Sequence, residues 1–139
     1  MLDIEDIAKG NMDGEVVYIC DYRQPDLSNK PIRKQPPTRA LIVSNSETNK
    51  RIYYSESHFR PFGKNEKLLS KVIPLFDNTG YRSFTGNPLY VFKTHQECVD
   101  KWKELVDDII SRKEAYILQL QEQHDEDMIE LNKIKKAYD

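Results

Sequence analysis

LYVFKTHQECVDKW, residues 89–102, joins two kinds of chain. Leu89-Tyr90-Val91-Phe92 is aromatic and aliphatic text that reads as a strand. Two residues on, Thr94-His95-Gln96-Glu97 has the Thr-x-x-Glu form of a capping box, in which side chains and backbone satisfy one another's free donors at a helix start. From Thr94 to Asp139 there is neither glycine nor proline, whereas everything before Thr94 is punctuated by turn residues. The class is therefore α+β: a small antiparallel sheet core of about five strands followed by a long C-terminal helix or helix pair. The chain reads as a single domain, residues 1–139, with a β-rich core over 1–93 and a helical segment over 94–139.

Upstream of the join, Leu2 to Ala8 reads as a short helical turn stopped by Gly10. Val16-Val17-Tyr18-Ile19-Cys20 shows little alternation, as in a strand buried on both faces. Arg23-Gln24-Pro25-Asp26 through Pro36-Pro37 is a polar, basic, proline-punctuated loop, long for a small domain and so a place for function. Ala40-Leu41-Ile42-Val43 is the next strand. Ser44 to Lys50 supplies turn chemistry and Arg51-Ile52-Tyr53-Tyr54 returns, so Thr38 to Ser55 reads as a hairpin. His58-Phe59-Arg60-Pro61-Phe62-Gly63 reads as another turn, and Lys71 to Phe76 as a short strand marked as an edge by Pro74.

Downstream, Trp102, Val106, Ile109, Tyr116 and Leu120 recur at helical spacing, with Lys113 interrupting the stripe. A weaker stripe resumes at Met128, Leu131 and Ile134, and the polar run Gln119 to Asp125 lies between. One rod over this segment would be about 70 Å long, too long to bury its stripe on so small a β core. Either a second subunit covers it or the helix breaks near Gln121 to Asp127, and self-association is the favoured expectation.

A hydrophobic fraction of 38% against 32% charged residues suits one modest core with wide solvated surfaces. The chain starts acidic, without an apolar run, and no stretch approaches the ~20 apolar residues that cross a bilayer, so a cytoplasmic protein with no membrane partner is expected. Cys20 and Cys98 lie far apart in different kinds of element and read as reduced core thiols. The net charge of −2 conceals a division: residues 30–73 carry ten basic and three acidic side chains, while residues 1–29 carry two and seven. Residues 94–139 carry seven basic and twelve acidic. A basic middle between acidic ends favours a local anion site over a coat of nucleic acid polymer.

That middle leads into DNTGYRSFTGNPLYVF, residues 77–92, which crowds glycine, asparagine, arginine and aromatic side chains into one window. Such a loop suits a polar, flat-ringed ligand: the Arg82 guanidinium for phosphate, and Tyr81, Phe84 or Tyr90 for a base. An ordinary loop with aromatics tucked beneath it is the competing reading. Arg23, Arg33, Lys34, Arg51 and Arg60 lie in or beside loops of the same region, interleaved with Tyr22, Tyr53 and Phe59. Arg112, beside the apolar stripe of the helix, could reach an interface pocket or could snorkel along the surface.

Catalytic groups are not expected. His58, His95 and His124 are too scattered for a metal site. Ser55-Glu56-Ser57-His58 lacks a nucleophile elbow. Asp107-Asp108 and Glu126-Asp127 point apart on a helix, and no phosphate-binding glycine motif occurs. The expectation is no enzyme, no metal and no cofactor.

As a set, Lys30-Pro31-Ile32-Arg33, Tyr54-Ser55-Glu56-Ser57-His58-Phe59, Asp77-Asn78-Thr79-Gly80-Tyr81-Arg82-Ser83-Phe84 and Glu97-Cys98-Val99 resemble the phage-encoded Thoeris anti-defence family, its first-described type. The resemblance covers most of residues 15–112. It implies a nucleotide sponge: a protein that sequesters cyclic ADP-ribose-type signals, a glycocyclic or cyclic ADP-ribose, without cleaving them, in the bacterial host cytosol during infection. It also implies a homo-oligomer, a dimer or hexamer, with pockets at subunit interfaces. The adenine-binding roles would fall on Phe84 and Arg112, with Arg82, Thr85 and Asn87 as polar supports. Three other classes compete: a coiled-coil interaction module, a small nucleic-acid-binding protein, and a phosphodiesterase.

Overall fold

The computed structural model describes residues 1–22, 26–28, 36–48, 55–77, 80–82 and 88–138. The order is α1 (Ile4–Ala8), β1 (Val16–Asp21), β2 (Thr38–Ser44), α2 (Asn45–Thr48), β3 (Ser57–Pro61), β4 (Phe76–Asp77), β5 (Gly80–Tyr81), β6 (Leu89–Phe92) and α3 (His95–Lys136). The chain is α+β, as its sequence indicates: a four-stranded sheet in the order β3-β2-β1-β6, a two-stranded ribbon β4-β5, and one long helix. All pairings are antiparallel.

Two compact units emerge: Met1–Gln24 with Arg33–Leu105, and Pro25–Ile32 with Val106–Asp139. The boundary between the units falls inside α3.

In the first unit, alternation along the inner strands sorts side chains to two faces. Val17 and Ile19 of β1, Ala40 and Ile42 of β2, Phe59 of β3, and Leu89 and Val91 of β6 join Ile4, Ile7 and Ala8 of α1 and Leu75 in one buried cluster. Burying each large apolar side chain there contributes about 1.5–3 kcal/mol. On the opposite face, Tyr18 meets His95 edge-to-face at 5.3 Å, Cys20 meets Cys98, and the Lys101 ammonium lies 4.5 Å over the Tyr90 ring. β1 is covered on both faces, which explains the unbroken apolar run at Val16 to Cys20.

Local chemistry fixes the element ends. Asp3 caps α1 by accepting from the Glu5 amide at 3.0 Å. Gly10, just past that helix, holds φ +83°, a left-handed conformation open to glycine. Thr94 starts α3: its hydroxyl accepts from the Glu97 amide at 3.3 Å and donates to the Glu97 carboxylate at 2.7 Å.

The hairpin differs from its expected form. The strand that returns against β2 is β3, with Ser44 opposite Ser57 and Ala40 opposite Pro61; Arg51-Ile52-Tyr53-Tyr54 lies outside the described residues. His58 to Pro61, expected as a turn, is strand because Phe59 has no exposure and anchors the core. Of the strand expected over Lys71 to Phe76, Ile73 exchanges two backbone hydrogen bonds with Phe59, at 2.8 and 3.1 Å, covering the outer edge of β3. Phe76 goes on to pair with Tyr81 in the ribbon.

α3 runs for 42 residues without a break, so the alternative of a bend near Gln121 to Asp127 is set aside. Cys98, Leu105 and Ile109 are buried along it, and Trp102, Val106, Lys113 and Tyr116 are half-buried. In the second unit, the Lys113 ammonium donates to the Leu27 carbonyl at 2.7 Å. From Ile117 to Tyr138 every residue is exposed. No helix is long and apolar enough to cross a membrane among the described residues.

Candidate functional site

The described residues that flank 23–25 and 83–87 meet at one end of the sheet. Asp21, the last residue of β1, pairs with Leu89, the first of β6. The next amide, that of Tyr22, donates to the Pro88 carbonyl at 3.0 Å. Arg82 closes the junction, with its guanidinium on the Asp21 carboxylate and its own amide donating to the Leu75 carbonyl at 3.0 Å. Its side chain is 5% exposed and that of Asp21 25%.

A guanidinium this enclosed requires a charged partner, since burying a lone cation costs several kcal/mol. Asp21 therefore neutralises the one charge of the window that composition assigns to phosphate. The same pair holds the ribbon and the end of β1 together. Gly80 adds to the shape of the ribbon with φ +138°, a conformation side chains avoid, although a Cβ there would meet nothing within 4 Å.

Tyr81 packs against the core cluster and meets the Phe76 ring edge-to-face at 5.7 Å. Its ring works here as packing, the competing reading of the window. Phe59, grouped with the arginines by sequence, is wholly in the core, and Tyr22 is buried.

Arg60 stands apart from this junction. It pairs with Leu41, which pairs with Val16 at the opposite end of β1 from Asp21. Strand rise and spacing then separate Arg60 from Asp21 by about 19 Å. Its Nε donates to the Leu69 carbonyl at 2.8 Å, which stitches β3 to the following turn.

Arg112 belongs to the second unit, where its Nε lies 3.0 Å from the Asp108 carboxylate one helical turn back; both side chains are about half exposed. Such an exposed pair contributes about 0.3–0.5 kcal/mol, so its cost to a competing ligand is small. Arg23, Arg33, Phe84, Thr85 and Asn87 lie outside the described residues.

A second polar cluster was not singled out from the sequence as a structural network. Ser57 donates to the Asp13 carboxylate, and the Ser55 hydroxyl to the Ser57 carbonyl. The His58 Nδ1–H donates to Asn45 Oδ1 at 2.7 Å, while Asn45 Nδ2 donates to the Ser55 carbonyl at 2.6 Å. Ser55, Ser57 and His58 are buried. The serine hydroxyls donate to a carboxylate and a carbonyl, and the imidazole to an amide oxygen, so the cluster holds the turn between β2 and β3 against the loop after α1. Spacing alone hides it because Asp13 and Asn45 enter from other elements. Among the described residues no group of three His, Cys, Asp or Glu side chains is placed to hold a metal ion.

No family model, no curated protein and no solved structure matches the chain.

Proposed function

We propose that this chain is a phage anti-defence protein that binds a cyclic ADP-ribose-type signalling nucleotide and holds it without cleavage, acting in the bacterial cytosol to keep Thoeris effectors from being activated. The observation that carries the reading is the junction at the end of β1. Tyr22 bonded to Pro88 and Asp21 bonded to Arg82 bring the roots of two sequence-selected loops side by side. One contributes Arg23 and Arg33; the other contributes Phe84, Thr85 and Asn87. Arg82 then serves as the strut of the site and phosphate falls to the loop arginines; the resemblance gives Arg112 the adenine role.

Clearing a signal from solution demands roughly nanomolar binding, near −12 kcal/mol, which several charged hydrogen bonds around a small dianion can supply. A sponge also has no use for a general base or metal. The test is a thermal-shift series with cyclic ADP-ribose isomers, followed by heat release and mass analysis of the ligand. A rise in melting temperature with intact ligand recovered supports sequestration. Recovery of hydrolysed product makes the protein an enzyme, and no shift with any isomer ends the proposal.

A second reading, a non-catalytic coiled-coil interaction module, is favoured by the exposed apolar residues of distal α3, with Ile117 at 45% and Leu131 at 59% exposure. A nucleic-acid-binding role for the basic middle would instead give affinity for DNA or RNA that falls steeply with salt.

A further inference from the structure

Cys20 and Cys98 are the two cysteines of the chain, and the proposed nucleotide site uses neither. The fold brings them into contact across 78 residues of sequence, with their sulfurs 3.3 Å apart. Both are enclosed, Cys20 at 1% exposure and Cys98 at none. Their meeting follows from the elements that carry them. Phe92, the last residue of β6, pairs with Tyr18 of β1, and Lys93 and Thr94 then turn the chain into α3. His95, Cys98 and Lys101 stand three residues apart on one helix face. They meet, in turn, Tyr18, Cys20, and Tyr90, the strand partner of Cys20. The two thiols are thus held between a ring contact on one side and a cation–ring contact on the other.

That contact is close to a bond. A disulfide needs sulfurs about 2.05 Å apart, so each sulfur would move by about 0.6 Å, which side-chain adjustment can supply while strand and helix stay in place. With the Cys20 proton directed at the Cys98 carbonyl, at 3.2 Å, the Cys20 sulfur offers its lone pairs to Cys98. The hydrogen bond with Cys20, and then burial, keep the Cys98 proton on its sulfur. The thiolate is the reactive form, so the pair is reduced at rest and reacts slowly at neutral pH.

We propose that Cys20 and Cys98 are a redox-sensitive pair, which a peroxide converts into an intrachain disulfide stapling the first turn of α3 to β1. The first thiol to ionise attacks a peroxide oxygen and breaks the O–O bond, giving a sulfenic acid and water. The second sulfur displaces that hydroxyl as water and closes the disulfide. Two thiols and one hydrogen peroxide become one disulfide and two waters; the sulfurs give up two electrons and the peroxide takes them. Contact between the sulfurs lets the second capture the sulfenic acid before it oxidises further. The bond closes a loop that holds β2 to β6, so it stabilises the fold by restricting the unfolded chain. Cys20 adjoins Asp21, which holds Arg82, so the staple acts at the same end of the sheet as the candidate site. It stands independently of nucleotide binding.

The test exposes the folded, reduced full chain to hydrogen peroxide at pH 8, then unfolds it in excess iodoacetamide and measures its mass. The expected product has lost two hydrogens, takes up no iodoacetamide and remains one covalent chain, and proteolysis releases the Cys20 peptide joined to the Cys98 peptide. Its melting temperature stands at least about 5 °C above that of the reduced chain, and dithiothreitol reverses both changes. Cys20→Ala and Cys98→Ala form no intrachain bond and show no such rise; the measurements on the parent decide the matter even where a variant fails to fold. Two iodoacetamide adducts after peroxide, sulfinic acid in place of the disulfide, or a bond between chains each overturns the proposal. So does a disulfide that leaves the melting temperature unchanged, or an equal rise in either alanine variant.

Discussion

The sulfurs of Cys20 in β1 and Cys98 in the first turn of α3 lie 3.3 Å apart, with the Cys20 thiol donating to the Cys98 carbonyl at 3.2 Å. Both residues are buried, and no disulfide joins them. The hydrogen bond with Cys20, and after it burial, push the Cys98 thiol well above its ordinary value of 9.0. Its protonated form is thus the one the fold accepts.

The pH dependence follows in sign. In the unfolded chain Cys98 loses its proton near pH 9, while in the fold it keeps it. Above that pH the unfolded state binds fewer protons, so stability falls by about 1.4 kcal/mol per pH unit. Below pH 8 the thiol contributes no slope. Urea unfolding at pH 8 to 10, comparing the parent with Cys98→Ala, isolates the effect: the variant loses that part of the slope. Equal slopes for the two proteins would refute the assignment.

Arg82→Ala removes the guanidinium from the Asp21 carboxylate and destabilises the fold by about 3 kcal/mol, whereas Arg82→Met with Asp21→Leu recovers much of the loss by replacing the pair with apolar contacts. Chemical denaturation of the singles and the double measures the coupling. Arg112→Ala, by contrast, changes stability by less than about 0.5 kcal/mol. If the proposed function holds, Arg112→Ala lowers ligand affinity at unchanged stability, a separation that titration calorimetry beside denaturation resolves.

Phe59→Ala removes the largest fully buried ring and costs about 3–5 kcal/mol, a large part of a small domain's stability. Leu75→Ala, at a residue outside any strand yet with no exposure, costs about 2–5 kcal/mol by the same cavity argument. Melting temperatures rank both far below any substitution on distal α3.

Gly10→Ala forces a Cβ into a left-handed backbone and costs about 1–2 kcal/mol. The new carbon would also sit 3.3 Å from the Glu56 carboxylate, a flexible end that can move aside. Gly10→Asn, which tolerates that backbone better, recovers part of the loss in a thermal melt.

Much of this architecture was legible in the residues because local rules and tertiary packing agree there. The apolar runs at Val16 to Cys20, Ala40 to Val43 and Leu89 to Phe92 are strands, Gly10 ends α1, and Thr94-x-x-Glu97 opens α3. His58 to Pro61 reads as a turn because Pro61, Gly63 and the polar His58 and Arg60 give turn-like text. Tertiary burial of Phe59 and the paired register with β2 override it. Arg82 and Cys98 show a different limit. Their partners, Asp21 and Cys20, stand 61 and 78 residues away, and no periodicity reports such a pairing. The expected anion-binding arginine of the window is thus tied inward, a fact that only the third dimension reveals.

The pairing of β1 with β6 also sets a schedule for the growing chain. The sheet cannot close until Leu89–Phe92 has been made, although β1, β2 and β3 precede it by many residues. Sequence separation of this kind slows closure, because the intervening chain must first be ordered. At 5–20 residues per second, translating the 42 residues of α3 then takes about 2–8 s. The helix that follows β6 therefore doubles as a timer: it keeps the sheet tethered while β6 finds its place beside β1.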